Sequence, residues 1–266
     1  MPLASLQSAI ASLIAHNGTP SSHLAGAAAL HLEAHCPRAS DALDYFHDRE
    51  ALVGEAFAAD RMALELGGYE VNVVLSQPGF VRAIVGRGGE ATKVEWAHNS
   101  AWRFPPPVPD PVVGFRLHPI DLSINKVLAL AGRDEPLDFL DILFVHRNYP
   151  SLGSLCWAAE RKDPGYGPQM LAELLARKGR FRPEDFADLA LAAPPKVPEL
   201  KLVWLDALAD AAACARTPGG RCRLPLLESP GTQLRRSLRR SFQPGPAFRL
   251  SGRRPPIHRR HSGKQG

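Results

Sequence analysis

A chain of 266 residues with 45% hydrophobic residues carries enough apolar surface for one large domain or two small ones. No uninterrupted apolar run approaches the roughly 20 residues that span a bilayer, and MPLASLQSAIASLIAHNG has no basic n-region, so neither a membrane span nor a secretory leader is expected and a cytoplasmic location is. The formal charge of +5 conceals an asymmetry: from Arg216 onward thirteen Lys or Arg face the single acid Glu228, a surplus of twelve, which leaves the preceding residues at −7. The pI of about 9.2 therefore belongs to the tail and is no argument that the folded part binds nucleic acid.

In chain order, residues 4–16 form a first helix with Leu6, Ile10, Leu13 and Ile14 on one face, ended by Gly18-Thr19-Pro20-Ser21. A short apolar approach then leads to Gly26, a helix-like run from Ala27 to about His35, and a strand-like Asp41-Ala42-Leu43-Asp44-Tyr45-Phe46. A Gly where a strand hands over to a helix lets a phosphate approach backbone N–H groups. Carboxylates at i and i+2 of the following strand share a face and can hold Mg²⁺, which takes hard oxygen ligands. Here Asp44 stands in such a strand, but Ala42 occupies the position two before it. Asp41 is adjacent and, on a regular strand, points to the opposite face; only a bulge would re-aim it.

Residues 49–66 are helical by periodicity, with Gly67-Gly68 closing the helix. Strands follow from Tyr69, Phe80 and Thr92, the last two joined by a Gly88-Gly89 turn. Pro105-Pro106-Pro107, Pro109 and Pro111 make a stiff connector that ends an α/β core at about residue 112. Helices are expected over 121–132, with Asp121 as its N-cap, and over 135–147, 151–161, 167–178, 183–192 and 198–215. The chain thus divides into a core of residues 1–112, a helical lobe of 113–215 and a basic tail of 216–266. High charge with few core-forming residues predicts disorder in that tail. It reads either as a basic arm for RNA or DNA or as an extension from a shifted reading frame in a GC-rich gene.

Gly26, Leu30, Arg38, Ser40, Leu43, Asp44 and Phe46 match, in order, a pattern of Gly, apolar helix and Arg-x-Ser-x-Asp-Leu-Asp-x-Phe. Lys126, Ala129 and Arg133 match Lys-x-x-Ala-x-x-x-Arg; Asp138 and Asp141 follow, then Lys162-Asp163. Together these motifs, from about residue 22 to 163, resemble the AbiEii/AbiGii toxin family. The sequence departs from the family pattern at Ala27, Ala42, Leu137 and Glu160. The resemblance implies an α+β fold: a DNA polymerase β-like nucleotidyltransferase core followed by an α-helical C-terminal lobe. It also implies transfer of a nucleotidyl group from an NTP to a hydroxyl, with an RNA such as tRNA as acceptor and a cognate antitoxin as partner. In that scheme Asp44 and Glu95, the latter as the third carboxylate, hold Mg²⁺, with Asp41 supplying the acid that Ala42 lacks; Glu95 reads equally as a solvent-facing residue of an amphipathic strand. Gly26, Lys126, Arg133 and Lys162 bind the nucleotide, and Asp138 orients the cations or moves a proton beside the catalytic Asp44. The three departures at 27, 42 and 137 imply the alternative of a relative that binds nucleotide or a partner protein without turnover.

Lys126 and Arg133 lie two turns apart on one helical stripe, where two cations can grip a triphosphate. Asp138 and Asp141, at i and i+3, share a face, and acids in a Phe- and Leu-rich helix need a cationic partner. His31 and His35 have ligand spacing but no third ligand and read as ordinary. The cysteines include no Cys-x-x-Cys pair, so structural zinc is not expected.

Overall fold

A computed structural model describes residues 3–32, 38, 40–189, 191 and 193–216. All of them fall within the unit Met1–Leu226. The tail beyond Arg216, together with Glu33, His35 and Cys36, lies outside the described residues. Seven strands form one mixed sheet: β1 (Ser22–Ala25), β2 (Ala42–His47), β3 (Glu70–Gln77), β4 (Phe80–Arg87), β5 (Glu90–His98), β6 (Val108–Asp110) and β7 (Gly114–Arg116). Their spatial order is β3-β4-β5-β2-β1-β7-β6. β2 runs parallel to β5 and antiparallel to β1; β7 runs parallel to β1.

Strand alternation gives the sheet two unlike faces. Leu43, Tyr45 and His47 of β2, Val81, Ala83 and Val85 of β4, and Thr92, Val94 and Trp96 of β5 are buried. Helices α1 (Ser5–Ile14) and α3 (Glu50–Leu66) pack against this part of the sheet. Trp96 is its anchor: the ring meets Phe57 edge-to-face at 5.1 Å, and the indole N–H donates to Asp60 at 2.7 Å. The other face carries the alternate residues Ala42, Asp44 and Phe46 of β2 with Lys93, Glu95 and Ala97 of β5. The short helix α2 (Gly26–His31) joins β1 to β2 and contacts α4 (Pro119–Gly132), the first helix after the sheet.

The chain then continues as α5 (Pro136–Asn148), α6 (Leu152–Lys162), α7 (Pro168–Leu175) and α8 (Val197–Ala215). Among the described residues no helix is long and apolar enough to cross a membrane.

Three local expectations are corrected. The Pro-rich stretch is more than a connector: β6 and β7 form a hairpin inside and just after it, turned by Gly114 at φ +75°, and β7 extends the sheet beside β1. Proline is tolerated there because these are edge positions that need few donors. The helix expected over 183–192 is only a 3₁₀ turn, Pro183–Phe186, capped by Asp185 accepting the Arg182 N–H at 2.7 Å. Leu191 bridges Arg38 instead of continuing a helix. Finally, α4 is capped by His118, whose Nδ1 accepts from the Ile120 N–H at 3.2 Å with Pro119 at the first helical position. Asp121, expected as the cap, lies inside the first turn, fully buried, and binds Lys162 at 2.8 Å.

Candidate active site

The site is assembled where β1, β2 and β5 lie side by side. Ala25 pairs with Asp44, and Asp44 with Glu95. Two carboxylates on directly opposed residues of neighbouring strands therefore leave the same face. Gly26, immediately after β1, has φ +62°, and a Cβ there would overlap the Asp44 carboxylate. The room that this glycine leaves is thus filled by Asp44 itself.

Ser40 closes the entry to β2 by donating to the Ala42 carbonyl at 2.8 Å. The β2–β5 register runs without a break from Ala42↔Lys93 to His47↔His98. No bulge re-aims Asp41, which stands exposed one residue ahead of the strand. Ala42, buried, takes the position on the Asp44 face.

The Asp44 carboxylate makes no hydrogen bond or ion pair with a described residue. Burial raises its carboxyl above the usual range, and the neighbouring Glu95 raises it further. The cations Lys126, Lys93 and Arg133 pull the other way without cancelling the rise. Glu95 is better supplied: Arg82, across the β4–β5 ladder, reaches its Oε1 at 2.8 Å, and Lys93 reaches the same oxygen at 3.2 Å.

Behind this face stands a second acidic pair, on α5. Asp138 accepts from Lys126 at 3.0 Å and from Arg133 at 2.6 Å. Asp141 takes Lys126 at 2.7 Å, Arg38 through Nε at 3.0 Å and Nη2 at 2.8 Å, and His31 Nε2 at 2.9 Å. Burial opposes charge on Asp141, but Lys126, His31 and Arg38 outweigh it and hold the carboxyl far below the usual range. Burial likewise opposes charge on Lys126, and Asp141 and Asp138 reverse it, so the ammonium is held firmly protonated. Burial lowers His31, which therefore donates from Nε2 as a neutral ring.

The structure thus brings Gly26, Asp44, Glu95, Lys126, Arg133 and Asp138 into one region. Lys126 is locked between two acids, whereas the Arg133 side chain, held by Asp138 through Nε, is 64% exposed. Sequence reasoning gave Arg38 no role and set His31 aside. The available signal was stoichiometric: two buried acids so close together, Asp138 and Asp141, call for more donors than one lysine and one exposed arginine supply.

Lys162 goes elsewhere. It binds Asp121 and, at 2.8 Å, the Asn125 side chain, on the wall of a cavity of about 160 Å³. Burial lowers its pKa despite Asp121. That cavity is also lined by Phe46, His23, Asp48 and Arg103, but not by Asp44, Glu95 or Lys126. It adjoins the acidic pair through Phe46, two residues along the same face of β2.

Asp44 and Glu95 are the residues that could hold a divalent ion. Asp44 and Glu95 offer hard oxygens, and Mg²⁺ completes its shell from water and phosphate. A third carboxylate is lacking, and no group of three or more His, Cys, Asp or Glu among the described residues is arranged to hold a metal. Burial first and then repulsion from Glu95 raise Asp44, and such an ion would relieve the repulsion.

No family model matches the chain, and no curated protein matches it by sequence. Its fold is similar to that of MenT4, a nucleotidyltransferase toxin from Mycobacterium tuberculosis H37Rv, with a TM-score of 0.56 and 14% identity over 89% of each chain. It is also similar to JHP933 from Helicobacter pylori, with a TM-score of 0.54 and 16% identity, covering 78% of this chain and 90% of that one. At these identities the likeness is one of fold: the chain has a mixed α/β, nucleotidyltransferase-like architecture. The AbiEii/AbiGii resemblance is carried by its motif residues alone.

Proposed function

We propose that this chain is a nucleotidyltransferase that moves a nucleotidyl group from an NTP to a hydroxyl of an acceptor such as RNA. We further propose that it serves as the toxin of a toxin–antitoxin or phage-defence pair. The observation that carries the first statement is the opposition of Asp44 and Glu95 on adjacent parallel strands, with Asp44 unpaired and seated against Gly26. An unpaired, partly buried carboxylate with a raised pKa beside a second carboxylate has no stabilising role of its own and is what a catalytic site requires.

In this reading Asp44 and Glu95 would hold Mg²⁺, which would supply charge neutralisation at the phosphates and acidification of the attacking hydroxyl. The protein does the rest. Asp44 accepts the proton of the attacking hydroxyl, whose oxygen bonds the α-phosphorus as the bond to the departing pyrophosphate breaks, and the exposed Arg133 guanidinium reaches the phosphate oxygens, for which its planar donor fork is suited. Asp138 sets the direction from which Arg133 does so. Lys126, fixed by Asp138 and Asp141, contributes a stationary positive field. The toxin role is supported by the motif resemblance and by the description of MenT4 as a toxin.

The test is full-length protein incubated with Mg²⁺, each labelled NTP in turn, and total RNA or protein extract, beside an Asp44→Ala control. Label transfer that falls by about a hundredfold or more in the control is the expected result. No transfer with any NTP, from the natural chain or from Ala42→Asp, overturns the reading. One observation favours a second reading, binding without turnover: Ala42 occupies the buried position on the Asp44 face where a carboxylate would complete the site. Transfer gained only with Ala42→Asp would select it.

A further inference from the structure

The position two residues before Asp44 is empty of charge, but its neighbour across the ladder is not. Ala42 pairs with Lys93, and Lys93 shares its face with Glu95 and Asp44. A methyl in place of a carboxylate at residue 42 leaves room for the long Lys93 side chain to lie along the face, and its ammonium reaches Glu95 Oε1 at 3.2 Å. Arg82 reaches the same oxygen from the other side at 2.8 Å. Both side chains are about two-fifths exposed, so each charge is directed to the open side of the sheet.

The loss of an acid and the presence of two bases act in the same direction. Asp44, Glu95, Lys93 and Arg82 sum to zero, so this surface needs no second cation to balance it. A second divalent ion would have to displace one ammonium or guanidinium from Glu95 and would find no third carboxylate among the described residues to hold it.

We propose that Lys93 is a phosphate-binding residue whose ammonium, opposite Ala42 and beside Asp44 and Glu95, takes the place of one of two divalent ions. The site then holds a polyphosphate chain on fixed side-chain cations and needs at most one metal ion. Lys93 is the principal group because it stands opposite the missing carboxylate; Arg82 keeps Glu95 neutralised while Lys93 turns to the phosphate. The proposal rests on the nucleotide-binding half of the function proposed above, but not on turnover.

Two titrations on the full-length protein test it. The first measures binding of inorganic tripolyphosphate by calorimetry, in EDTA and at a salt concentration that screens the tail. Lys93→Ala is expected to weaken binding by about tenfold, the worth of one charge-assisted hydrogen bond, while Lys93→Arg keeps it. The second counts Mn²⁺ ions by electron paramagnetic resonance. One ion at most is expected in the natural chain, and two in the variant carrying both Ala42→Asp and Lys93→Ala. Unchanged tripolyphosphate affinity in Lys93→Ala, with the variant's melting temperature preserved, overturns the proposal, as do two tightly bound Mn²⁺ ions in the natural chain. Lys93-dependent binding without label transfer would sink the transferase reading and leave this one standing. Label transfer with Lys93-independent binding would do the reverse.

Discussion

The two acidic pairs of this protein lie close enough to feel the same cations, yet their environments are opposite. Asp138 and Asp141 on α5 are buried and saturated: between them they engage Lys126, Arg133, Arg38 and His31. Asp44 and Glu95 on the sheet share a face without matching donors for Asp44. The sign of the pKa shift separates them, since Asp141 is held down by its partners and Asp44 is pushed up by burial and by Glu95. Saturation fixes α5 and α4 to Arg38 and to His31 of α2, and so positions the sheet face relative to the helices. Under-saturation keeps Asp44 available. The lesson is that the acids nearest the most cations are scaffold, and the one left short of partners is the candidate for chemistry.

The comparison breaks if Asp141 can be removed cheaply. Asp141→Asn takes the shared carboxylate from Arg38 and His31 and leaves Lys126 with Asp138 in a dry site, and is expected to cost about 3–5 kcal/mol in urea unfolding. Asp44→Asn, in contrast, removes a carboxylate with no ion pair to lose, so stability is unchanged or higher while label transfer disappears. Equal stability losses in the two variants would erase the distinction between scaffold and site.

A pH titration sharpens it. His23 and His47 are both lowered to about 4, mainly by burial. Groups lowered in the fold give stability that is present above their ordinary pKa of 6.5 and lost as pH falls through about 4. Asp60 works the other way: raised to about 6 by burial, it gives stability below 3.8 that is lost as pH rises through 6. His31, also lowered by burial, acts with these histidines and Asp44, also raised, acts with Asp60, so three histidines against two acids make the net effect a loss on acidification below pH 6.5. Neither ring nitrogen of His47 has a partner, so His47→Phe keeps the packing and removes one titrating group. It is expected to reduce that acid loss by up to about 3 kcal/mol in equilibrium unfolding. The Asp141 carboxyl contributes no slope in this window, because a group held so low surrenders its stability only at more acid pH. A slope unaffected by His47→Phe would place the acid sensitivity elsewhere.

Local pattern was sufficient for most of the sheet and helices. Strand alternation located β4 and β5, and the apolar periodicity located α1, α3 and α8 to within a few residues. The β6–β7 hairpin was hidden because its proline content argues against a strand everywhere except at an edge, and edge status is decided by β1, ninety residues earlier. Of the site, Gly26, Asp44, Lys126 and Arg133 stood out as motif residues. The roles of Lys93 and Arg82 were not legible, because they depend on the Ala42↔Lys93 and Arg82↔Glu95 registers. His31 looked ordinary because its partner lies 110 residues away. Asp121 was assigned to the wrong task because an acid near a helix start is read as a cap, and only the fold shows Lys162 arriving from α6.

The smallest expected effect addresses what Gly26 is for. A phosphate cradle and a berth for Asp44 both explain a glycine there, and they differ in what a methyl group would strike. Gly26→Ala carries about 1–2 kcal/mol of left-handed backbone strain in either case. In the berth the methyl also displaces the Asp44 carboxylate, and shortening Asp44 removes that overlap. A double-mutant cycle between Gly26→Ala and Asp44→Ala is therefore expected to give a favourable coupling of about 1 kcal/mol in unfolding free energy. The strain persists in the double variant, so the rescue is partial. Additive losses would mean that Asp44 moves aside at no cost, and the glycine would then be explained by backbone conformation and approach of the phosphates alone.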